Sequence, residues 1–206
     1  MNPTVGALQA TFGNAIGRAS DLRDGWTSVT VRADRLKDVM TWLRDTPEQR
    51  YDYLVDVTAV EYRDRERPLE VVYNLRSLER KANLRVKVEL DPRGELAVDS
   101  VTPLWAGADW LEREVYDMFG VVFAGHPDLR RILMWETYAE GYPLRKDFPL
   151  RGRFSRSEQV RQALNANPEA NYSMEELSIA EAYDELPADM RERLRRGERA
   201  KVRESE

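Results

Sequence analysis

Apolar residues change their spacing several times along this chain, and each change marks an element. Val5, Leu8, Phe12 and Ile16 recur at helical intervals and predict a first helix, which Gly13 and Gly17 weaken. Trp26 to Arg32 reads as a strand with Val29 and Val31 on one face. Leu36, Val39, Met40 and Leu43 follow the i, i+3, i+4, i+7 stripe of an amphipathic helix, with Asp34 placed to cap its start, Arg44 near its end and Pro47 just beyond.

The period then falls to two. Tyr53, Val55, Val57 and Ala59 alternate within Tyr51–Glu61, Leu69–Leu75 forms a second strand, and Leu84, Val86, Val88 and Leu90 alternate strictly with Arg85, Lys87 and Glu89. That last pattern belongs to a sheet with one wet face. Pro92-Arg93-Gly94 predicts a turn into Leu96–Val101. Short connections favour antiparallel pairing, so the expected fold is α/β of the α+β type. It is a two-layer sandwich of a mostly antiparallel mixed sheet with helices on one face. Residues 1–154 form this core domain, and 155–206 form a charged C-terminal arm.

Asp109 and Glu112 are spaced like a capping box for a helix over Trp110–Phe119, and Gly120 stands where a terminating glycine would. From His126 onward Pro127, Gly141, Pro143, Pro149 and Gly152 predict an irregular segment. Glu169–Asp189 holds seven acids and no base, while Arg191–Glu206 holds seven bases and four acids. Ser173 and Glu176 give a second capping-box signal there, so one or two short helices are expected in the arm.

Composition narrows the chemistry. The 206 residues are 42% hydrophobic and 33% charged, with a net charge of −5, a balance that argues against a general nucleic-acid binder. There is no cysteine, which removes disulfides, thiol catalysis and cysteine-ligated clusters. His126 is the sole histidine, so a self-contained Ser-His-Asp site is a poor expectation. The N-terminus lacks the look of a signal peptide and no apolar run approaches a membrane span, so a soluble, cytoplasmic chain is expected.

The densest candidate chemistry lies on the Asp109 helix. Glu112 and Glu114 fall about 200° apart around a helix axis and do not converge as paired catalytic carboxylates should. Asp117 is expected on the outer face, paired with Arg113 one turn back. A solvated or partner-facing charge set is favoured over catalysis. His126 with Asp128 is too small a set for a metal site, and the favoured reading has Pro127 opening a short helix with His126 bonded locally. Arg130, Arg131, Arg145 and Lys146, with Trp135, Tyr138, Tyr142 and Phe148 among them, suit a protein interface better than single-strand nucleic acid. Intramolecular pairing stays open for these bases. There is no Gly-rich dinucleotide loop and no Walker A sequence.

Glu112-Arg113-Glu114, Asp117, Met118-Phe119-Gly120, His126-Pro127-Asp128-Leu129-Arg130-Arg131-Ile132-Leu133 and Pro143-Leu144-Arg145-Lys146-Asp147-Phe148-Pro149 together resemble one family. It is the 30 kDa subunit, also called the C subunit, of the proton-pumping NADH:quinone oxidoreductase, respiratory complex I. The resemblance is sharpest over Leu104–Leu150 and looser back to Trp26. Tyr142 stands where the family often has histidine, which leaves no role for a histidine there.

The resemblance implies a cofactor-free subunit of the peripheral arm, on the cytoplasmic side of the bacterial inner membrane, touching the membrane only through the complex. FMN and the iron–sulfur clusters would belong to neighbours. The 49 kDa or D subunit would be the first partner, then the B subunit and the iron–sulfur I subunit, and the charged arm would wrap one of them. Glu112, Arg113, Glu114, Asp117, Phe119, Gly120, His126, Pro127, Arg130, Arg131, Pro143, Arg145, Lys146 and Asp147 would then be signature and interface residues, with no catalytic, cofactor or metal site. Two other readings stay open: the equivalent subunit of a membrane-bound hydrogenase or another quinone-linked dehydrogenase, and, from a different class, a small nucleic-acid adaptor. A free-standing hydrolase is disfavoured by the single histidine and the divergent carboxylates.

Overall fold

The computed structural model describes residues 2–150 and 152–166. The chain divides into two units, Met1–Ser155 and Arg156–Glu206. Of the second unit the described part includes one helix, α4 (Arg156–Ala166). The expected capping box at Ser173 and the acidic and basic runs lie outside the described residues.

The first unit opens with helix α1 (Pro3–Phe12). Asn2 caps it by accepting the Thr4 amide, with Pro3 at the first helical position where no amide is missed. The helix stops at Gly13, whose φ of 52° suits glycine. This corrects the expected continuation to Ile16, which instead begins strand β1 (Ile16–Asp21). Strand β2 (Thr27–Val31) follows, then a 3-10 turn (Ala33–Arg35) and helix α2 (Leu36–Asp45). Asp34 does not cap α2; its carboxylate takes a bidentate contact from Arg32. Leu36, Val39, Met40 and Leu43 are fully buried, as their stripe predicts.

Strands β3 (Tyr53–Glu61), β4 (Leu69–Ser77) and β5 (Ala82–Leu90) form an antiparallel meander. The five strands lie in the order β1-β2-β5-β4-β3, and β2 pairs with β5 in parallel. The chain therefore leaves β2, crosses through α2 and re-enters at the far edge as β3. Val57, Ala59, Leu69, Val71, Tyr73, Leu75, Leu84, Val86 and Val88 share one cluster with the buried faces of α1 and α2. The opposite sheet face carries Glu70, which is ion-paired with Arg65 and, at 3.0 Å, with Lys87.

The alternation expected along β3 fails at its first half. A bulge between Leu54 and Asp56 inserts Val55, so Tyr53 and Val55 are exposed while Leu54 packs against the core. After β5 comes the turn at Asp91–Gly94, closed by the Gly94 amide on the Asp91 carbonyl. Then β6 (Ala97–Asp99), helix α3 (Ala108–Phe119) and β7 (Val122–Ala124) make a small βαβ unit whose two strands are parallel. The fold is the expected mixed α/β type, with a five-stranded, mostly antiparallel sheet.

Candidate functional site

Helix α3 is amphipathic, but much of its polar side is not a wet surface. Val115, Met118 and Phe119 join the core, while Glu112, Arg113 and Asp117 are buried as well. A helix of this length leaves its last carbonyls without helical partners. Here each of the final four is met. Gly120 N–H donates to the Tyr116 carbonyl (2.9 Å), Arg131 Nη1 to that of Asp117 (3.2 Å), Leu144 N–H to that of Met118 (3.1 Å) and Arg145 Nη1 to that of Phe119 (3.4 Å). Gly120 takes φ 79°, the left-handed terminus its position predicts. A Cβ there would sit 2.4 Å from the Tyr142 ring, so the glycine also permits the ring's approach.

Asp117 organises the segment around Arg131. Its Oδ2 accepts three consecutive amides, from Ile132 (3.0 Å), Leu133 (2.8 Å) and Met134 (2.8 Å), and its Oδ1 accepts Arg131 Nη1 at 2.5 Å. One turn earlier, Arg113 donates Nε to the Arg130 carbonyl (3.2 Å) and Nη2 to the Arg131 carbonyl (3.1 Å). The acid holds the amides of residues 132–134 and the base holds the carbonyls of 130–131. Burial alone would raise the Asp117 carboxyl, but the Met134 amide, Arg131 and the amides of Ile132 and Leu133 together hold it below the usual carboxylate range.

This geometry corrects two expectations. Asp117 and Arg113 do not pair with each other, and neither lies on a solvated face. Glu112 is not half of a capping box: α3 starts at Gly107 without a side-chain cap, and Glu112 accepts Ser100 Oγ (2.7 Å) and the Val101 amide (2.7 Å) in the core. Burial pushes its carboxyl up, against the lowering effect of those two hydrogen bonds. Glu114, by contrast, is exposed.

His126 bonds locally, though in a turn and not ahead of a helix: its Nδ1 accepts the Asp128 amide (3.0 Å), so the ring proton sits on Nε2. That nitrogen lies 3.2 Å from both the carbonyl and the Oδ1 of Asp109. Pro127 is exposed. The four bases divide sharply. Arg131 is spent inside the chain on Asp117, on the Gly141 carbonyl (3.2 Å) and over the rings of Tyr138 and Tyr142. Arg130 pairs with Asp128 at the surface (2.7 Å). Lys146 is exposed, while its amide donates to Glu61 Oε2 (2.6 Å) and ties the segment to the end of β3. Arg145 lies against Asp147 (3.5 Å), and Pro143 precedes them at intermediate exposure. Sequence reasoning missed Ser100 and Glu140, gave Asp109 a capping role the helix start does not show, and read Gly141 only as a break in the chain. Glu140 accepts the Arg153 (2.7 Å) and Phe154 (3.3 Å) amides, a contact across a loop that leaves no periodic trace.

Among the described residues no group of three or more His, Cys, Asp or Glu is placed to hold a metal, and no helix is long and apolar enough to cross a membrane. What α3 builds is an ordered, largely non-helical segment, held from one side and open on the other. Leu133 and Leu144 project from it, and Trp110 stands exposed on the helix beside it.

The family model described as respiratory-chain NADH dehydrogenase, 30 kDa subunit, matches residues 29–154, and the chain belongs to that family. The NADH-quinone oxidoreductase C subunit of Roseiflexus castenholzii is 49% identical over 150 residues, covering 72% of this chain and 84% of that protein. Its counterpart in Maricaulis maris is 46% identical over 148 residues, covering 68% and 72% respectively. Among solved structures, a trypsin-resistant fragment (1–134) of Nqo5 superposes with a TM-score of 0.54 at 29% identity, over 62% of this chain and all of that one. A chain of an archaeal membrane-bound sulfane sulfur reductase gives 0.59 at 23% identity, over 72% of this chain and 85% of that one, and shows the shared fold.

Proposed function

We propose that this chain is a scaffold subunit of the peripheral arm of an NADH:quinone oxidoreductase, on the cytoplasmic side of the membrane. In this reading the chain holds no redox group. FMN and the iron–sulfur clusters sit in neighbours, and the chain keeps those neighbours in register for electron transfer to quinone. The 49 kDa subunit is its first partner, with the B and I subunits nearby.

The observation that carries this reading is the use α3 makes of its charges. Arg113 and Asp117 are consumed in fixing residues 130–134, so they serve the shape of a surface. The segment so fixed exposes Leu133, Leu144, Arg130 and Lys146, the mix of apolar and basic side chains that interfaces select. Holding that surface rigid before binding removes part of the ordering cost of association.

A mild-detergent pull-down of the tagged full chain from native membranes tests the proposal. We expect iron–sulfur and membrane subunits to co-purify with NADH:quinone activity. Recovery with a nickel–iron large subunit and no NADH-binding flavoprotein would move the chain to the hydrogenase relatives. Recovery alone, or with nucleic acid, would overturn the assignment.

A further inference from the structure

Among the described bases of the irregular segment, Arg145 alone is largely buried and weakly partnered. Its side chain is only 15% exposed, yet its contacts are a 3.4 Å bond to the Phe119 carbonyl and a 3.5 Å approach to Asp147, itself 71% exposed. Arg131, buried to a similar degree, has a 2.5 Å carboxylate, two carbonyls and two aromatic rings. A guanidinium carries five donors in a planar fork, and buried donors are normally met. Arg145 uses few of its five, and its nitrogens without a protein partner are reached by solvent, none being sealed in without one.

The fork faces a cavity of about 250 Å3, which Arg145 lines together with Arg153, Tyr142, Phe148 and Asp147. Two guanidinium groups against one carboxylate leave the cavity net positive. Its walls are built, not incidental: Tyr142 reaches its place over Gly120, and Gly141 turns the chain with φ 124°, its Cβ direction facing Phe148. The volume lies below the roughly 300–1,000 Å3 typical of sites for drug-sized ligands, so it suits a side chain better than a nucleotide or quinone.

We infer that this cavity is a socket for an aspartate or glutamate side chain of the neighbouring subunit, gripped by the Arg145 fork with Arg153 at the rim. This deepens the scaffold reading above and rests on it. A carboxylate matches the fork with two parallel hydrogen bonds, and the partner that covers the half-open cavity removes water that would otherwise screen them. Asp147 then serves as a stand-in on the free chain, a surface pair of little strength that a better-placed acid displaces.

The test uses the assembled, membrane-derived complex carrying Arg145→Lys, which keeps the charge and supplies a primary amine. Carbodiimide condenses an amine and a contacting carboxylate to an amide with loss of water, and mass spectrometry identifies the joined peptides. The wild-type complex gives the background from native Lys146, and Arg130→Lys, facing Asp128, shows that the coupling proceeds. We expect position 145 to be joined to an acidic residue of another subunit. Linkage to Asp147 alone, or no linkage, in a complex that still co-purifies would overturn the socket and leave the scaffold reading standing. A tagged chain that fails to co-purify even as wild type would sink the scaffold reading itself. Arg145→Gln should weaken retention in the complex at raised salt by at least about tenfold, with the melting of the isolated full chain little changed. Equal retention would count against the socket.

Discussion

Glu112 and Asp117 lie on one helix, and burial acts on both, yet their carboxyls shift in opposite directions. The difference is the number of donors: Asp117 has three amides and an arginine, Glu112 a hydroxyl and one amide. The signs of their pH effects differ accordingly. Asp117, lowered in the fold, contributes stability above the ordinary carboxylate range that is lost as pH falls through its lowered value. Glu112, raised in the fold, contributes stability below the ordinary glutamate range that is lost as pH rises through its raised value.

Asp117→Asn should therefore destabilise the chain at neutral pH by about 3–5 kcal/mol, because Arg131 keeps its burial and loses its counter-charge. Glu112→Gln should cost under about 1 kcal/mol at neutral pH, since an amide can accept Val101 N–H and donate to the Ser100 hydroxyl. Glu112→Ala, which orphans that amide, should cost about 1–3 kcal/mol before any cavity term. Urea midpoints across a pH series measure all three. A Glu112→Gln loss as large as that of Asp117→Asn would refute the assignment of donors. From the sequence, Arg113 and Asp117 look like a helix pair because they are one turn apart. The rule is sound for a wet helix, but residues 130–134 cover this one and supply partners that spacing along α3 cannot reveal.

At the scale of elements, what could be read was what obeys a period. The α2 stripe and the β5 alternation are buried as expected. Strand β1 was missed because Ile16-Gly17-Arg18-Ala19-Ser20-Asp21 is an edge strand with few buried positions, and its first residue completes the stripe of α1. The Val55 bulge resets the alternation of β3 without any change in composition. Gly120 is the clearest case of a single residue fixing an element's end. Gly120→Ala should cost at least about 1–2 kcal/mol for the left-handed backbone alone, with a further loss from collision with Tyr142. Adding Tyr142→Ala should recover the collision part and not the backbone part, a coupling that thermal melts of the two single variants and the double variant would reveal. Strict additivity would mean the ring moves aside freely.

For the whole molecule, the fold class was legible because two amphipathic helices and a polar-faced meander admit few arrangements. The family was legible through the residues of Leu104–Leu150, which lie within the stretch its model matches. What stayed hidden was which charges face inward. That depends on contacts such as Arg131 with Asp117, Lys146 N–H with Glu61, and Arg44 with the Leu104 carbonyl, each joining distant parts of the chain.

The parallel pairing of β2 with β5, from Thr27 opposite Leu84 to Thr30 opposite Lys87, has a consequence for the order in which the molecule is made. The β3–β4–β5 meander closes through short connections, whereas β2 must wait for a partner far downstream and close a long loop. Val71→Ala in the meander should then slow folding, while Val29→Ala in β2 should mainly speed unfolding, as stopped-flow chevrons would show. Equal slowing by both would place β2 in the folding nucleus. On the ribosome, at roughly 5–20 residues per second, the β1–β2 hairpin emerges seconds before β5 does. For those seconds it offers an open strand edge, a target for chaperones or for a neighbouring nascent copy, until synthesis itself delivers the strand that seals it.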